Sequence, residues 1–513
     1  VTRVQALNGV LYPVVTQSTP NGGGTFIRWT PIFAAAKEND LRTDSAYLND
    51  SVSFGSRWQF SLGARLDRNH AVDGDGTRIS NHSRISPRIS GQFDVRGDAR
   101  HRLSASYAQY TSRIADAIAS SGQSAGNAAA IDFVYRGPGI NDKALTTPTA
   151  DVIRMVFDYF NTVQSGTANL SPSNLRPNGS RVIPGYSVYF DGTLSSPYVE
   201  EWTAGYGLSL GGHGYVRADA IWRDWHDFYA ASVTPDTRKV NTPLGIPVDL
   251  ALIRNSDAIQ RHYRGIQVQA HWSLSRLATG AHYTWSTLRG NDEGEGANGA
   301  LTNIDPSLYY PEYTSYERAA PLGDLAGGQR HRLRAWAGYE LDLRRARVGF
   351  TLLHNYDSSL SYSIVAPISL TGYAGAPSNP GYKSIPSGRY FFSGRGALRT
   401  EGIHATDLAV RTAMKLAGLD WFAQADLLNI FNRAGVADPN RLNTSVATAA
   451  TSSTFAPFDP RTATPVECPR GAPAATCTAM HANYQLAPAF GEPLNNLAYQ
   501  TPRTIRVSLG IRF

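Results

Sequence analysis

Apolar and polar residues alternate one for one through segment after segment of this chain, and a period of two is the repeat of a β-strand with unlike faces. In the last ten residues Ile505, Val507, Leu509, Ile511 and Phe513 share one face, while Arg506, Ser508, Gly510 and Arg512 share the other. Trp58, Phe60, Leu62, Ala64 and Leu66 stand in the same way against Gln59, Ser61, Gly63, Arg65 and Asp67. So do Leu333, Ala335, Ala337, Tyr339 and Leu341 against Arg332, Arg334, Trp336, Gly338 and Glu340. Segments of this kind predict strands at 44–54, 57–67, 84–95, 100–111, 197–210, 214–229, 259–274, 276–288, 328–341, 345–357, 403–416, 419–432 and 501–513. Each is at least as long as a tilted membrane-crossing β-strand.

The connections between them alternate in length. Tight ones at 55–56, 96–99, 211–213, 275, 343–344 and 417–418 are interleaved with longer ones at 68–83, 112–196, 230–258, 289–327, 358–402 and 433–500. Short turns on one rim and long loops on the other are the plan of an outer-membrane barrel, whereas loops beyond about 15 residues are uncommon in compact domains. The predicted fold is all-β: a transmembrane antiparallel β-barrel wall, with 1–43 as a lead-in extracellular segment and 44–513 as strands and loops. With 17% charged against 42% hydrophobic residues, the 513-residue chain carries little charge for a water-facing surface. A mean hydropathy of -0.29 and the lack of any run of about 18 apolar residues exclude a helical bundle. A soluble secreted β-protein would expose far more apolar surface than the few hundred Å² normally tolerated. The net charge of +7 comes mainly from arginines scattered along the strands rather than gathered in a patch, so no nucleic-acid partner is expected.

Arg65, Arg102, Arg332, Arg334, Arg345, Arg347, Arg506 and Arg512 fall on polar faces and are expected to face the lumen. A cationic lumen would favour anionic solutes. In the competing reading these arginines pair with wall carboxylates such as Asp67, Asp219, Glu340 and Asp426, or with a plug, because unpaired buried charge is costly. Cys468 and Cys477 are expected to form a disulfide clip in the last long loop. Asp151 to Val163 reads as a short helix with Val152, Met155, Val156 and Phe160 on one face. Tyr107, Tyr110, Trp202, Tyr206, Trp222, Trp225, Tyr283, Trp285 and Trp421 are candidates for interfacial girdles, and His271 and His282 for polar lumen positions on adjacent strands. Asp73-Gly74-Asp75-Gly76 begins like a calcium loop but lacks the later ligands, so a Gly/Asp turn explains it. Residues 291–295 read as an exposed acidic loop. No hydrolase elbow, zinc-protease, P-loop or C-x-x-C motif occurs, so neither an enzyme nor a cofactor or metal is expected.

Three stretches carry a family resemblance. Pro197-Tyr198-Val199-Glu200-Glu201-Trp202-Thr203-Ala204-Gly205-Tyr206 resembles a strand motif of TonB-dependent outer-membrane receptors, and Leu428-Asn429-Ile430-Phe431-Asn432-Arg433 resembles their penultimate-strand motif. The ending Ile505 to Phe513 is similar to the C-terminal strand by which such proteins are recognised for barrel assembly. Thr43 to Asp50, followed by Trp58 to Arg68, is similar to the Oar-like subgroup, whose N-terminal region usually carries a carboxypeptidase-regulatory-like domain. The resemblance covers roughly residues 40–513.

It implies an integral outer-membrane protein with a periplasmic C-terminus, in contact with outer-membrane lipid and the barrel-assembly machinery. It also implies TonB-energised uptake of a bulky solute through a vestibule of long loops. Complete members have a coupling box, a plug and about 22 strands. The strands here match the C-terminal part, the first being about the tenth, and the chain opens at Val1 without Met. It is therefore expected to be the C-terminal portion of a larger receptor, or one chain of an assembly whose partner bears the plug. The alternative is a structural or surface-interaction barrel, for adhesion or assembly, whose loops bind an accessory surface protein without active transport.

Overall fold

The computed structural model describes residues 38–114, 148–171, 188–241, 247–293, 310–344, 346–376, 385–416 and 419–512, with a few short pieces between them, among them 26–29 and 131–137. Thirteen strands run through these residues as next neighbours in one antiparallel sheet. They are β1 Asp40–Phe54, β2 Trp58–Val72, β3 Arg78–Asp94, β4 His101–Thr111, β5 Tyr198–Ser209, β6 Gly214–His226 and β7 Arg261–Leu274. The series continues with β8 Leu277–Gly290, β9 His331–Leu343, β10 Ala346–Asp357, β11 Ile403–Leu416, β12 Leu419–Leu428 and β13 Thr504–Arg512. Each corresponds to one segment read from the alternation. Among the described residues β1 pairs only with β2 and β13 only with β12, so the sheet has two edges. No helix of the described residues is long and apolar enough to cross a membrane.

Most strand ends shift by a few residues, β1 beginning at Asp40 inside the expected lead-in and β13 only at Thr504; at three places the difference has a local reason. The connection expected over 68–83 shrinks to residues 73–77. There the Asp73 carboxylate accepts the backbone N–H groups of Asp75 (2.9 Å) and Thr77 (2.8 Å), and Gly76 takes φ +86°. That is an Asx turn, which lets β2 and β3 extend until they meet it. The strand expected over 214–229 stops at His226 because Asp227 adopts φ +59°, and the chain leaves as a separate strand, Phe228–Ser232. The strand expected over 419–432 stops at Leu428, since Asn429 and Asn432 sit at φ +49° and +50°, a region that asparagine tolerates better than most side chains.

Directly opposed residues of an antiparallel pair share a face, so the register sorts every wall residue. Starting from Trp58, one face runs through Trp58↔Phe93, Leu62↔Ile89 and Leu66↔Ile85, then Leu103↔Tyr206 and Tyr107↔Trp202, and Trp202↔Trp222. It continues through Ile266↔Trp285, Tyr339↔Phe350, Leu352↔Leu408 and Trp421↔Ile511. This face is continuous over all thirteen strands and predominantly apolar, with Asp50 on β1 and Glu200, Asp224 and Arg264 toward the loop ends of β5–β7 as charged members. Its residues are open to the surroundings, with Leu509 78% and Trp202 56% exposed. Along β2 the apolar run from Trp58 to Leu66 measures about 27 Å, or about 20 Å of height at a tilt near 40°. Tyr107, Trp202, Tyr206, Trp222, Tyr283, Trp285 and Trp421 lie on this face. Tyr110 and Trp225 do not: both oppose Val199 on the polar face, where Arg88 and Arg261 stack over their rings at 5.1 and 5.3 Å.

The closed core lies in the long connections, not in the wall. Tyr229, Val233, Ile253, Tyr310, Ile368, Ile385 and Phe458, from four different loops, join Leu194 and the strand ends Ala71 and Ile79 in one buried cluster. Small sheets brace it: Phe228–Ser232 pairs with Ala251–Ser256, which Val188–Phe190 flanks in parallel, and Val365–Ser369 pairs with Ser387–Phe391. The expected helix is present as α1, Thr149–Thr162. Its Val156 and Phe160 are fully buried and pack on Ile27, Ile131 and Phe133.

Candidate functional site: a charged wall face and a packed loop layer

The face opposite the apolar one carries most of the paired charge of the wall. The register places Arg65, Arg102, Arg332, Arg334, Arg347, Arg506 and Arg512 on it, together with His271 and His282. Arg345 lies outside the described residues, as do Phe513 and the Arg512 side chain. Several of these arginines meet a carboxylate two residues along or across one strand, the two spacings that put side chains together on one face of a sheet. Arg65 holds Asp67 at 2.8 Å and Arg217 holds Asp219 at 2.7 Å. Arg332 and Arg334 both reach Asp357, at 3.3 and 2.8 Å, and Arg347 reaches Asp342 at 2.9 Å. Arg223 pairs with Glu201. Arg506 stands opposite Asp426, whose carboxylate accepts from Gln424 at 2.9 Å, and Arg102 stands opposite Asp94. Partly exposed pairs of this kind contribute about 0–1 kcal/mol each. Their effect is to make the face polar and locally balanced rather than uniformly cationic.

Glycine keeps part of this ladder in place. A side chain at Gly205 would put its Cβ 2.2 Å from the Asp219 carboxylate and 2.7 Å from Ser104 Oγ, so the Arg217–Asp219 pair needs the bare backbone beside it.

At one rim the loops fold onto this polar face. Asn69 donates to Ser196 Oγ (2.5 Å) and the Ser112 carbonyl (3.2 Å), and Ser80 donates to the Leu194 carbonyl (2.6 Å). Arg84 pairs with Asp227 at 2.6 Å. Asn69, Ser80 and Arg84 all belong to the polar face of β2 and β3. The rim is thus tied to segments 112 and 194–196 from one loop and to Asp227 from the next.

Sequence reasoning did not single out several residues that organise the loop layer. The Arg395 guanidinium is 1% exposed and donates to the carbonyls of Pro321 (2.7 Å) and Asn291 (2.6 Å) and to Glu293 (3.3 Å). It bolts the β10–β11 loop to the β8–β9 loop, and Glu293 of the expected acidic stretch is one of its anchors. Asp324 gathers Arg330 at 3.0 Å and Arg399. Asn429 is 4% exposed and donates to the carbonyls of Arg433 and Thr501, both at 2.9 Å, while its own oxygen accepts from the Arg433 N–H at 3.0 Å. The Leu428–Arg433 motif is therefore a clamp at the entrance to β13. Cys468 and Cys477 form the expected disulfide, packed with Phe455 and Ala482. Burial and the neighbouring Glu467 push the Tyr484 phenol up to about 12.

No protein-family model and no curated protein matches the chain. Among solved structures it is similar to the FrpB iron transporter from Neisseria meningitidis (F3-3 variant), with 11% identity over 80% of this chain and 48% of that one, at a TM-score of 0.38. It is also similar to BauA, the ferric preacinetobactin receptor from Acinetobacter baumannii, with 12% identity over 82% of this chain and 42% of that one, at 0.39. A third is the outer membrane transporter YddB from Escherichia coli, with 10% identity over 80% of this chain and 52% of that one, at 0.39. The chain spans about half the length of these proteins or less.

Proposed function

We propose that this chain is the lipid-embedded wall and outer loop layer of a TonB-dependent outer-membrane receptor, the C-terminal part of a barrel of about 22 strands. The observation that carries the reading is the separation of faces: across all thirteen strands one register sets a predominantly apolar, aromatic-rich face against a charge-paired polar one. A wall of this kind finds its solvent in lipid, where each large side chain such as Leu509 gains about 1.5–3 kcal/mol on leaving water. The polar face, with Arg65, Arg102, Arg332, Arg334, Arg347, Arg506 and Arg512, then lines the lumen. The tight turns lie at the periplasmic rim with the C-terminus, and the loop layer faces outward. A plug and coupling box, supplied by a preceding region or a second chain, would open the passage for a bulky solute on TonB action. The ending Ile505, Val507, Leu509 and Ile511 would be read by the barrel-assembly machinery. The Oar-like assignment rests on Thr43–Asp50 and Trp58–Arg68, and a carboxypeptidase-regulatory-like domain encoded upstream of Val1 is its test.

The transporter reading is tested with the complete gene. Deletion is expected to abolish energised uptake of at least one limiting nutrient, and collapse of the proton gradient should have the same effect. Residence in the outer membrane with no uptake defect on any limiting iron, vitamin, saccharide or peptide source would overturn transport and leave the surface-interaction role. The membrane reading has its own readout: brominated acyl chains should quench the fluorescence of Trp202, Trp222 and Trp421, and unquenched emission would refute it.

A further inference from the structure

Asp50 interrupts the apolar face of β1. Phe54, Val52, Asp50, Leu48 and Ala46 oppose Trp58, Phe60, Leu62, Ala64 and Leu66, so the carboxylate stands halfway along the apolar run. The other charged members of that face lie toward the loop ends of their strands, where Arg42 holds Asp44 at 2.9 Å and Arg264 holds Asp224 at 2.8 Å. Among the described residues Asp50 accepts one hydrogen bond, from the Ser51 N–H at 2.8 Å, and meets no cation. A charge at the midplane of a membrane wall is costly unless a neighbour answers it.

The flank of β1 beside Asp50 is open. Among the described residues β1 pairs only with β2, and its Leu48 and Phe54 are 77% and 75% exposed against 47% for Leu62 on β2. Strand direction decides what cannot cover it. Thirteen is an odd number, so β1 and β13 both run from the loop rim to the turn rim. Neither β13 nor an edge strand of a second copy in the same membrane orientation can therefore pair with β1 antiparallel. The apolar face of β13, with Ile505, Val507, Leu509 and Ile511, also offers no charge. Sequence order decides what does cover it: every pairing along the wall joins strands that follow one another in the chain. The neighbour of β1 is the wall strand that comes before it in the complete gene.

We infer that this preceding strand carries an arginine or lysine on its lipid face, opposite Asp50 or two residues along, and that the two form an ion pair within the bilayer. Those are the spacings from which side chains reach each other across a ladder. The pair fixes the register of this seam, since a slip of one residue would turn the basic side chain to the lumen and leave Asp50 alone. The inference rests on the wall reading above.

The complete gene supplies the first test: a basic residue is expected at that outward position of the preceding strand, and its absence overturns the pair. In the full receptor folded into lipid vesicles, Asp50→Leu is expected to lower the folding equilibrium constant at least tenfold, because it strands the basic group at the midplane. Replacing that basic residue by leucine as well should restore most of the loss. An Asp50→Leu variant as stable as the parent, or more so, is what a bare lipid contact gives, and overturns the pair. If Asp50→Leu does not assemble, the double variant decides: recovered assembly supports the pair and continued failure overturns it. Quenching of Trp202, Trp222 and Trp421 by brominated lipid reads the wall separately. Quenching together with an unaffected Asp50→Leu strikes the pair alone, whereas unquenched emission strikes wall and pair together.

Discussion

Replacing Asn429 by alanine isolates the clamp at the mouth of the last strand. Three backbone groups lose their partner at once: the carbonyls of Arg433 and Thr501 and the N–H of Arg433. A buried group left unsatisfied costs about 1–3 kcal/mol, the lower figure applying where water can reach it. Alanine must also hold φ +49°, which costs a residue with a Cβ about 1 kcal/mol. The total expected is about 3–5 kcal/mol. Glycine at the same position removes the backbone term alone, so Asn429→Gly should recover about 1 kcal/mol relative to alanine. Asn429→Asp keeps the acceptor for Arg433 N–H but turns a carboxylate oxygen toward two carbonyls, and should be no better than alanine. Guanidinium unfolding in detergent micelles, followed by the fluorescence of Trp421 on neighbouring β12, measures all three. An alanine variant within about 0.5 kcal/mol of the parent, or a glycine variant less stable than alanine, would refute the clamp.

Arg395→Met removes the donor to Asn291, Pro321 and Glu293, and should expose the segment 291–330 to proteases at least tenfold faster, as expected for a loss of more than about 1.4 kcal/mol of local stability; an unchanged cleavage rate would sink the bolt. Tyr484, raised to about 12, keeps its proton in the folded protein while the unfolded chain loses it near pH 10. Its contribution is thus intact below pH 10 and drains away up to about pH 12; alkaline unfolding curves should show this fall, and Tyr484→Phe should flatten it. Reduction of Cys468–Cys477 opens a link spanning 9 residues of sequence separation, for which chain entropy gives about 2–3 kcal/mol. The loosening should stay within residues 455–486 by hydrogen exchange, and a change of protection in β12 or β13 would contradict it.

The wall was legible because each strand has one face toward an apolar surrounding and one toward a polar one, which writes a period of two into the residues themselves. What the alternation does not carry is where a strand stops. Asp73, Asp227 and Asn429 end or turn strands through side-chain hydrogen bonds or positive φ that interrupt no hydrophobic pattern. The loop core was not legible for a different reason. Its strands are 3–6 residues long and pair across large sequence gaps, as Val188–Phe190 does with Ala251–Ile253, so no local period marks them. Cys468 and Cys477, by contrast, were readable as a pair because they are close neighbours and alone in composition. Arg395 looks like any surface charge in the sequence; only its burial distinguishes it.

The continuous register of the wall and the shared core of the loops impose opposite rules on how such a chain can change over time. Adding or deleting one residue inside β7, for example, would transpose Ile266 and Gln267 and every position beyond them between the two faces. Length change within a strand is therefore tolerated only in steps of two, and is otherwise driven into the connections. There, however, residues of five loops pack into one buried cluster, so a loop that alters its buried side chains presses its neighbours to alter theirs. Variation should accordingly arrive as exchange of the loop set together, drawn over a wall whose strand lengths keep their parity.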